Sequence, residues 1–398
     1  TNWADYIYRK GFQQNHAITL SGSSSSTSYY LSVGYSNQEG MIKNNFYTRK
    51  NARMNIDHKV NKFLTMGANV AYTNGYTESP NTGSNFSTAG AARLAFVLPP
   101  IIGPFKNDGT YNITNGAIGT LGTGLPTSGL GYYNPAQIFD TDMHTTTSDR
   151  ILATLYGSVE PVKGLVLKTV YGIDNLARET TTYWSPIGGD GYNYKGYAYN
   201  YSGQDNRWTW TNTANYNLTI AEKFNIGMLA GTEQQRTVGS SWNADKQLVS
   251  DPFFTTFAGS WAANSAIPGG TYGTNFYSSL FGRANVNWDK KYYFEASLRR
   301  DGYSGLSKNN KYGNFGGVSF MWNVSNEGFI ANSGLNEIFS DIRLKASYGR
   351  VGNMFGIGNY SSLFLYGGGL YGNASSFAFS QAEIQTLSGR QVINMTWD

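Results

Sequence analysis

Between Phe276 and Tyr348 apolar and polar positions alternate in three successive runs. Phe276, Leu280, Ala284, Val286 and Trp288 share one face, and Arg283, Asn285 and Asn287 the other. Tyr292, Phe294, Ala296 and Leu298 then oppose Glu295, Ser297, Arg299 and Asp301, and Ile342, Leu344, Ala346 and Tyr348 oppose Arg343, Lys345 and Ser347. A period of two predicts β-strands. Full charges on one face rule out a dry core there, so the sheet has a greasy side and a wet side, as a membrane barrel with an aqueous lumen requires. Arg283, Glu295, Arg299, Arg343 and Lys345 are accordingly expected to face the lumen.

The same alternation, broken by Gly, Asn, Asp and Pro, predicts twelve strands near 14-23, 27-37, 47-59, 63-76, 147-160, 164-178, 206-219, 222-237, 273-288, 290-301, 314-324 and 341-352. Most suffice for the roughly 9 to 11 residues that cross a tilted barrel wall. Short links alternate with long ones at 77-146, 179-205 and 238-272, the rhythm of an outer-membrane meander with short periplasmic turns and long outer loops. The link 326-340 is expected to hold a helical turn. Phe63, Phe224, Trp288, Tyr292 and Trp322 fall at the short-turn ends, and Tyr72, Tyr76, Trp208, Trp210, Tyr277 and Tyr348 toward the long-loop ends, as two aromatic belts would. Arg53, Asp57 and Lys168 keep the polar register, whereas Arg300 breaks it at the long-loop end, where exposure to lipid costs little.

Composition sharpens this picture. The 398 residues contain no apolar run long enough for a helical span, 14% charged residues, 15% aromatic residues and 48 glycines. A net charge of +5 without a Lys/Arg block argues against nucleic acid as a partner. The absence of cysteine excludes disulfide staples and thiolate metal sites. The opening Thr1-Asn2-Trp3 has no signal-peptide pattern, and the chain reads as an internal piece of a longer polypeptide.

No catalytic constellation stands out, and no enzyme activity, cofactor or metal is expected. His16, His58 and His144 lack ligand spacing. Asp140 and Asp142 in Asp-Thr-Asp lack the Gly and Glu of a calcium loop and read as a solvated loop. The run Gly119 to Gly124 lacks the Gly-Lys-Ser/Thr ending of a phosphate cradle and reads as an outer loop. The best binding candidate is 179-205, with Tyr183, Trp184, Tyr192, Tyr194, Tyr197 and Tyr199. Flat aromatic faces beside amides and carboxylates suit a sugar or peptide, although such residues equally pack on one another or dock a protein.

Several framework segments resemble one family. Leu298-Arg299-Arg300-Asp301-Gly302, Asn323, Asn326-Glu327, Leu344-Lys345-Ala346-Ser347-Tyr348-Gly349 and Gly352-Asn353 are similar to SusC-like (SusC/RagA) TonB-dependent transporters of Bacteroidetes outer membranes. So are Trp3, Ser21-Gly22, Tyr29-Tyr30, Gln38-Glu39-Gly40-Met41-Ile42 and Asn55 through Asn61. Met395-Thr396-Trp397-Asp398 resembles that family's Leu-x-Trp-Glu element, while Phe315-Gly316-Gly317 departs from its Phe-Pro-Ser. The resemblance implies an all-β, antiparallel transmembrane β-barrel of roughly 22 strands with a plugged lumen, of which residues 1-398 supply about twelve. It further implies uptake of oligosaccharides or peptides, a SusD-like surface lipoprotein as lid, and TonB engaging a region outside these residues. The signal peptide, plug and final strands would also lie outside. A passive pore or a structural barrel of a secretion or adhesion assembly is the alternative.

Overall fold

In the computed structural model, residues 1–80, 90–119, 131–264, 269–331, 333–334, 338–354, 356–363, 366–371 and 382–387 are described. The stretch from Thr120 to Gly124 and the Met395–Asp398 element lie outside them.

Twelve long antiparallel strands form one meander in which each pairs with its sequence neighbours. They are β1 (Gln13–Ser23), β2 (Thr27–Glu39), β3 (Phe46–Lys59), β4 (Leu64–Glu78), β5 (Met143–Val162), β6 (Leu165–Trp184), β7 (Tyr197–Ile220), β8 (Phe224–Val249), β9 (Gly269–Trp288), β10 (Tyr292–Tyr303), β11 (Tyr312–Asn323) and β12 (Arg343–Arg350). A short strand, Trp261–Asn264, adds to the outer part of β8. The path ends at β1 and β12, so the sheet is an arc of a barrel wall with two edges.

The turns explain the tight end of this arc. Asp289 (φ 52°) and Lys290 (φ 53°) occupy the left-handed region, and the Lys291 N–H donates to Trp288 O at 2.9 Å. Ala221 (φ 48°) and Glu222 (φ 59°) repeat the geometry between β7 and β8. Two successive residues of this kind make a type I′ turn, whose twist matches that of the flanking strands. The connection after β11 is longer, with one turn of 3₁₀-helix at Val324–Asn326 and a helical turn at Gly328–Ala331, as expected.

At the opposite end the strands run well past their predicted limits. β7 has 24 residues and β8 has 26, more than twice what crosses a membrane. The stretches 179-205 and 238-272 are therefore mostly paired strand, and among their described residues only 185-196 and 250-260 lie outside strands. This corrects the loop boundaries read from the sequence. Above the lipid both faces meet water, so alternation fades while backbone pairing continues.

The two faces keep the register expected of them. Arg53, Asp57, Lys168, Arg283, Glu295, Arg343 and Lys345 fall on one face, while Leu280, Phe294, Leu298 and Leu344 fall on the other with their side chains outward. Arg300 stands opposite Leu280 on the apolar face, with its guanidinium 5.1 Å from the Tyr312 ring centre. At the short-turn end Phe224, Trp288, Tyr292 and Trp322 stack in sequence at 5.9, 5.4 and 6.3 Å across four strands. Toward the other end Trp208 stacks on Tyr171 at 6.2 Å and meets Phe276 edge-on at 6.2 Å. Tyr277 does not belong to this belt. It lies on the polar face, where it packs with Tyr303, Leu306 and Phe315, because the strand register places Phe276 and not Tyr277 beside Trp208.

The long connection between β4 and β5 joins the N-terminal segment in a water-side core. Helices α1 (Trp3–Ile7), α2 (Ala91–Val97) and α3 (Pro135–Thr141) bring together Trp3, Ile7, Leu94, Leu98, Ile102 and Phe139. The Trp3 indole N–H donates to Pro99 O at 2.9 Å. Asn134 caps α3, accepting from Ala136 N at 3.1 Å, with Pro135 in the first helical turn where its missing N–H costs nothing.

Candidate functional site

The outer cap and the upper ends of β5 and β6 enclose a cleft of about 350 Å³ lined by Asn44, Glu78, Asp142, His144, Trp184 and Asp190, among others. Asp142 ends α3 and turns into this cleft. Its carboxylate accepts the Ser185 N–H at 2.9 Å and the Thr141 hydroxyl at 3.3 Å. Burial nevertheless pushes its pKa up to about 7, outweighing those hydrogen bonds, and the charge of Asp190 adds to the rise. The expectation that Asp140 and Asp142 sit in a solvated loop is thus corrected. Asn134-Pro135, a helix-start signature, would have placed Asp142 at a helix end. Asp140 stays exposed and accepts from the Tyr111 hydroxyl at 2.9 Å. Among the described residues no cluster of three or more His, Asp or Glu side chains could hold a metal ion.

The six aromatic residues singled out in 179-205 separate into different environments. Trp184 stacks on Tyr197 at 4.6 Å, and Tyr194 flanks Tyr197 at 5.3 Å. These three form one cluster at the strand ends. Tyr183, next to Trp184 but on the opposite face, is buried, meets Trp261 edge-on at 6.2 Å and donates to Pro252 O at 3.3 Å. A buried ring cannot stack on a ligand, so Tyr183 is structural. Tyr199 accepts from Asn243 at 3.4 Å, and Tyr192 lies against Gly116 of the cap with part of its ring exposed.

Lower down, the polar face holds a denser network than the sequence suggested. Arg299 donates to Asp301 at 2.6 Å, to Glu233 at 3.0 Å and to the Ser279 hydroxyl at 2.7 Å, and lies 5.2 Å from the Phe281 ring centre. One guanidinium thus joins β8, β9 and β10, its planar fork satisfying two carboxylates. Arg283 pairs with Glu295 at 3.7 Å and Arg343 with Asp341 at 2.7 Å, while Lys345 sits opposite Met321. Glu233 and Ser279 were missed because each becomes Arg299's neighbour only through the register of strand pairing, Glu233 two strands away and Ser279 across the β9–β10 hairpin.

No family model matches the chain. The chain is 27% identical over 368 residues to "TonB-dependent receptor P3" of Formosa agariphila, a match covering 89% of this chain and 34% of that receptor. To "TonB-dependent receptor SusC" of Bacteroides thetaiotaomicron it is 22% identical over 386 residues, covering 88% of this chain and 35% of the other. Among solved structures, the RagAB peptide importer in its open-open state matches with a TM-score of 0.81 and 25% identity, over 100% of this chain and 42% of the other. The chain therefore spans about a third of the length of the curated relatives it matches. Proteins bearing these names are receptors and transporters rather than enzymes, and they reside in the outer membrane. With its two-faced meander, short I′ turns and stacked aromatic row, the chain has the fold of a stretch of TonB-dependent receptor barrel wall and is similar to SusC-like receptors over most of its length.

Proposed function

We propose that the whole protein imports oligosaccharides or peptides across the outer membrane in a TonB-dependent manner, with a SusD-like lipoprotein closing the long-loop end. The observation that carries this reading is the fit of the entire chain onto the wall of a peptide importer at a TM-score of 0.81. Residues 1-398 then belong to one barrel domain, whose plug and TonB-contacting segment lie elsewhere in the polypeptide. The polar face is the lumen side, carrying Arg283, Glu295, Arg299, Arg343 and Lys345, and the apolar face meets lipid. The Trp184–Tyr194–Tyr197 cluster and Tyr192, at the outer rim beside the cleft, are the aromatic surfaces that substrate or lid would meet. The test is uptake of labelled oligosaccharides and peptides by cells carrying the full-length receptor, with and without TonB. Uptake that depends on TonB, together with a surface lipoprotein that copurifies with the receptor, is the expected outcome. Uptake unaltered by loss of TonB would sink the proposal and favour a passive pore.

A further inference from the structure

The polar face is not uniform in charge. Three consecutive pairing rows cross β2 to β8 in its upper part. The first runs Ser36, Arg49, Gly75, Ser148, Arg178, Gly203, Ser241. The second runs Gly34, Asn51, Thr73, Arg150, Leu176, Asp205, Gly239, and the third Ser32, Arg53, Ala71, Leu152, Asp174, Arg207, Thr237. Five arginines stand against two aspartates, and nearly every other position is glycine, alanine, serine, threonine or asparagine. With strands about 4.8 Å apart and alternate residues about 6.7 Å apart, the rows cover roughly 30 by 13 Å.

Among the described residues, ion pairing within these rows takes up only Arg150 and Asp174. Asp174 is held by Arg150 through two hydrogen bonds of 2.8 Å. Arg53 donates to the Asn55 side chain at 3.4 Å, and among the described residues Arg49, Arg53, Arg178 and Arg207 have no carboxylate within ion-pair distance. The region from β8 to β12 behaves oppositely, since Arg283, Arg299 and Arg343 are each answered by an acid.

We propose that this arginine field takes an acidic oligosaccharide, one carrying carboxylate or sulfate groups along its length. The inference rests on the import reading and names its substrate class. Guanidinium forks match planar or tetrahedral oxyanions, and several on one face engage a repeating anion better than a single charge. The small residues between them leave room for ring-sized groups, and their hydroxyls and amides suit a ligand rich in hydroxyls. A peptide fits less well. Peptides are held by sheet edges or by side-chain pockets, whereas this is the face of a paired sheet with only Leu152 and Leu176 as larger apolar contacts.

The test is equilibrium binding to purified full-length receptor in detergent. The probes are galacturonate tetrasaccharide, a sulfated galactose tetrasaccharide, neutral galactose tetrasaccharide and hexaglutamate. Wild-type receptor is expected to bind at least one charged saccharide ten-fold or more tighter than the neutral one, with affinity falling as salt rises. The triple variant Arg49→Gln, Arg178→Gln, Arg207→Gln is expected to lose that preference, and the corresponding Lys variant to recover part of it. Should the triple variant fold poorly, Arg178→Gln alone carries the test with a smaller loss. Equal binding of charged and neutral saccharides by wild type, or an unaltered preference in the variants, overturns the proposal. So does arginine-dependent binding of hexaglutamate without that of the saccharides. Binding in detergent needs no TonB, so this result and the uptake test can fail independently.

Discussion

The wall and the outer cap place the same kinds of side chain in opposite ways. On the wall, Leu280, Leu298 and Leu344 leave 60%, 67% and 57% of their surface uncovered. In the cap, Ile7, Leu94 and Ile102 keep 0%, 1% and 0%. A water-soluble sheet with the first pattern would be an aggregation surface. In a bilayer it is the ordinary solvent-facing side, because lipid takes the role that water has for the cap. The two regions therefore owe their stability to different solvents: the cap to burying its own apolar groups, the wall to backbone pairing and to the sorting of side chains between lipid and lumen.

Substitutions that ask each region to behave like the other break this contrast. The largest expected effect is Ile102→Ala in the cap, where a cavity in a packed apolar cluster costs about 2 to 5 kcal/mol. Limited proteolysis of full-length receptor should then cut within 90-141 at much lower protease concentration, while the heat-modifiable gel mobility of the folded barrel stays unchanged. Loss of barrel mobility as well would show that cap and wall are one cooperative unit.

Next in size is Leu298→Arg on the apolar face of β10, between the two aromatic belts. A charge there costs roughly 2 to 4 kcal/mol near the bilayer midplane, whereas an exposed leucine on a soluble protein would tolerate it. Urea unfolding in liposomes measures the difference. A wild-type midpoint would place this face against something other than lipid.

Smaller still is Glu327→Gln at the short-turn end. That carboxylate accepts from the Tyr292 hydroxyl at 2.7 Å, the Trp322 indole at 3.1 Å and the Lys291 ammonium at 3.1 Å, and so ties the longest short-side connection to the aromatic row. Amide exchange at 324-331 should quicken without change in the strands. Unchanged exchange would mean that the Asn326 side chain, which donates to Lys290 O at 2.8 Å, holds the connection alone.

How much of this was legible follows from the same contrast of solvents. Inside the membrane the two faces meet different media, so the period of two is sharp and all twelve strands could be read, down to the polar register of Arg283, Glu295 and Lys345. Above it, Thr180-Thr181-Thr182-Tyr183-Trp184 shows no alternation although each residue pairs with β7. The aromatic candidates were visible as a composition, but only the pairing of Trp184 with Tyr197 and the burial of Tyr183 separate a rim surface from a structural ring. The arginine field was invisible because its members lie on four strands and converge only through the register.

A last expected effect tests the seam where cap and wall meet. Asp142 is the cap's last residue before β5, and burial raises its carboxyl from the usual range near 4 to about 7. Between those values the folded cleft holds a proton that the unfolded chain has released, so its contribution to stability is greatest at acid pH and declines as pH rises toward 7. Above about 7 both states are ionised and the decline stops. The Ser185 N–H that bonds this carboxylate reports on the seam, and its exchange, corrected for intrinsic rate, should be better protected at pH 5 than at pH 8. Asp142→Asn should abolish the difference while leaving exchange in the lower halves of β5 and β6 as it was. Equal protection of wild type at the two pH values would show that the carboxylate reaches water freely and that the cap does not seal the cleft.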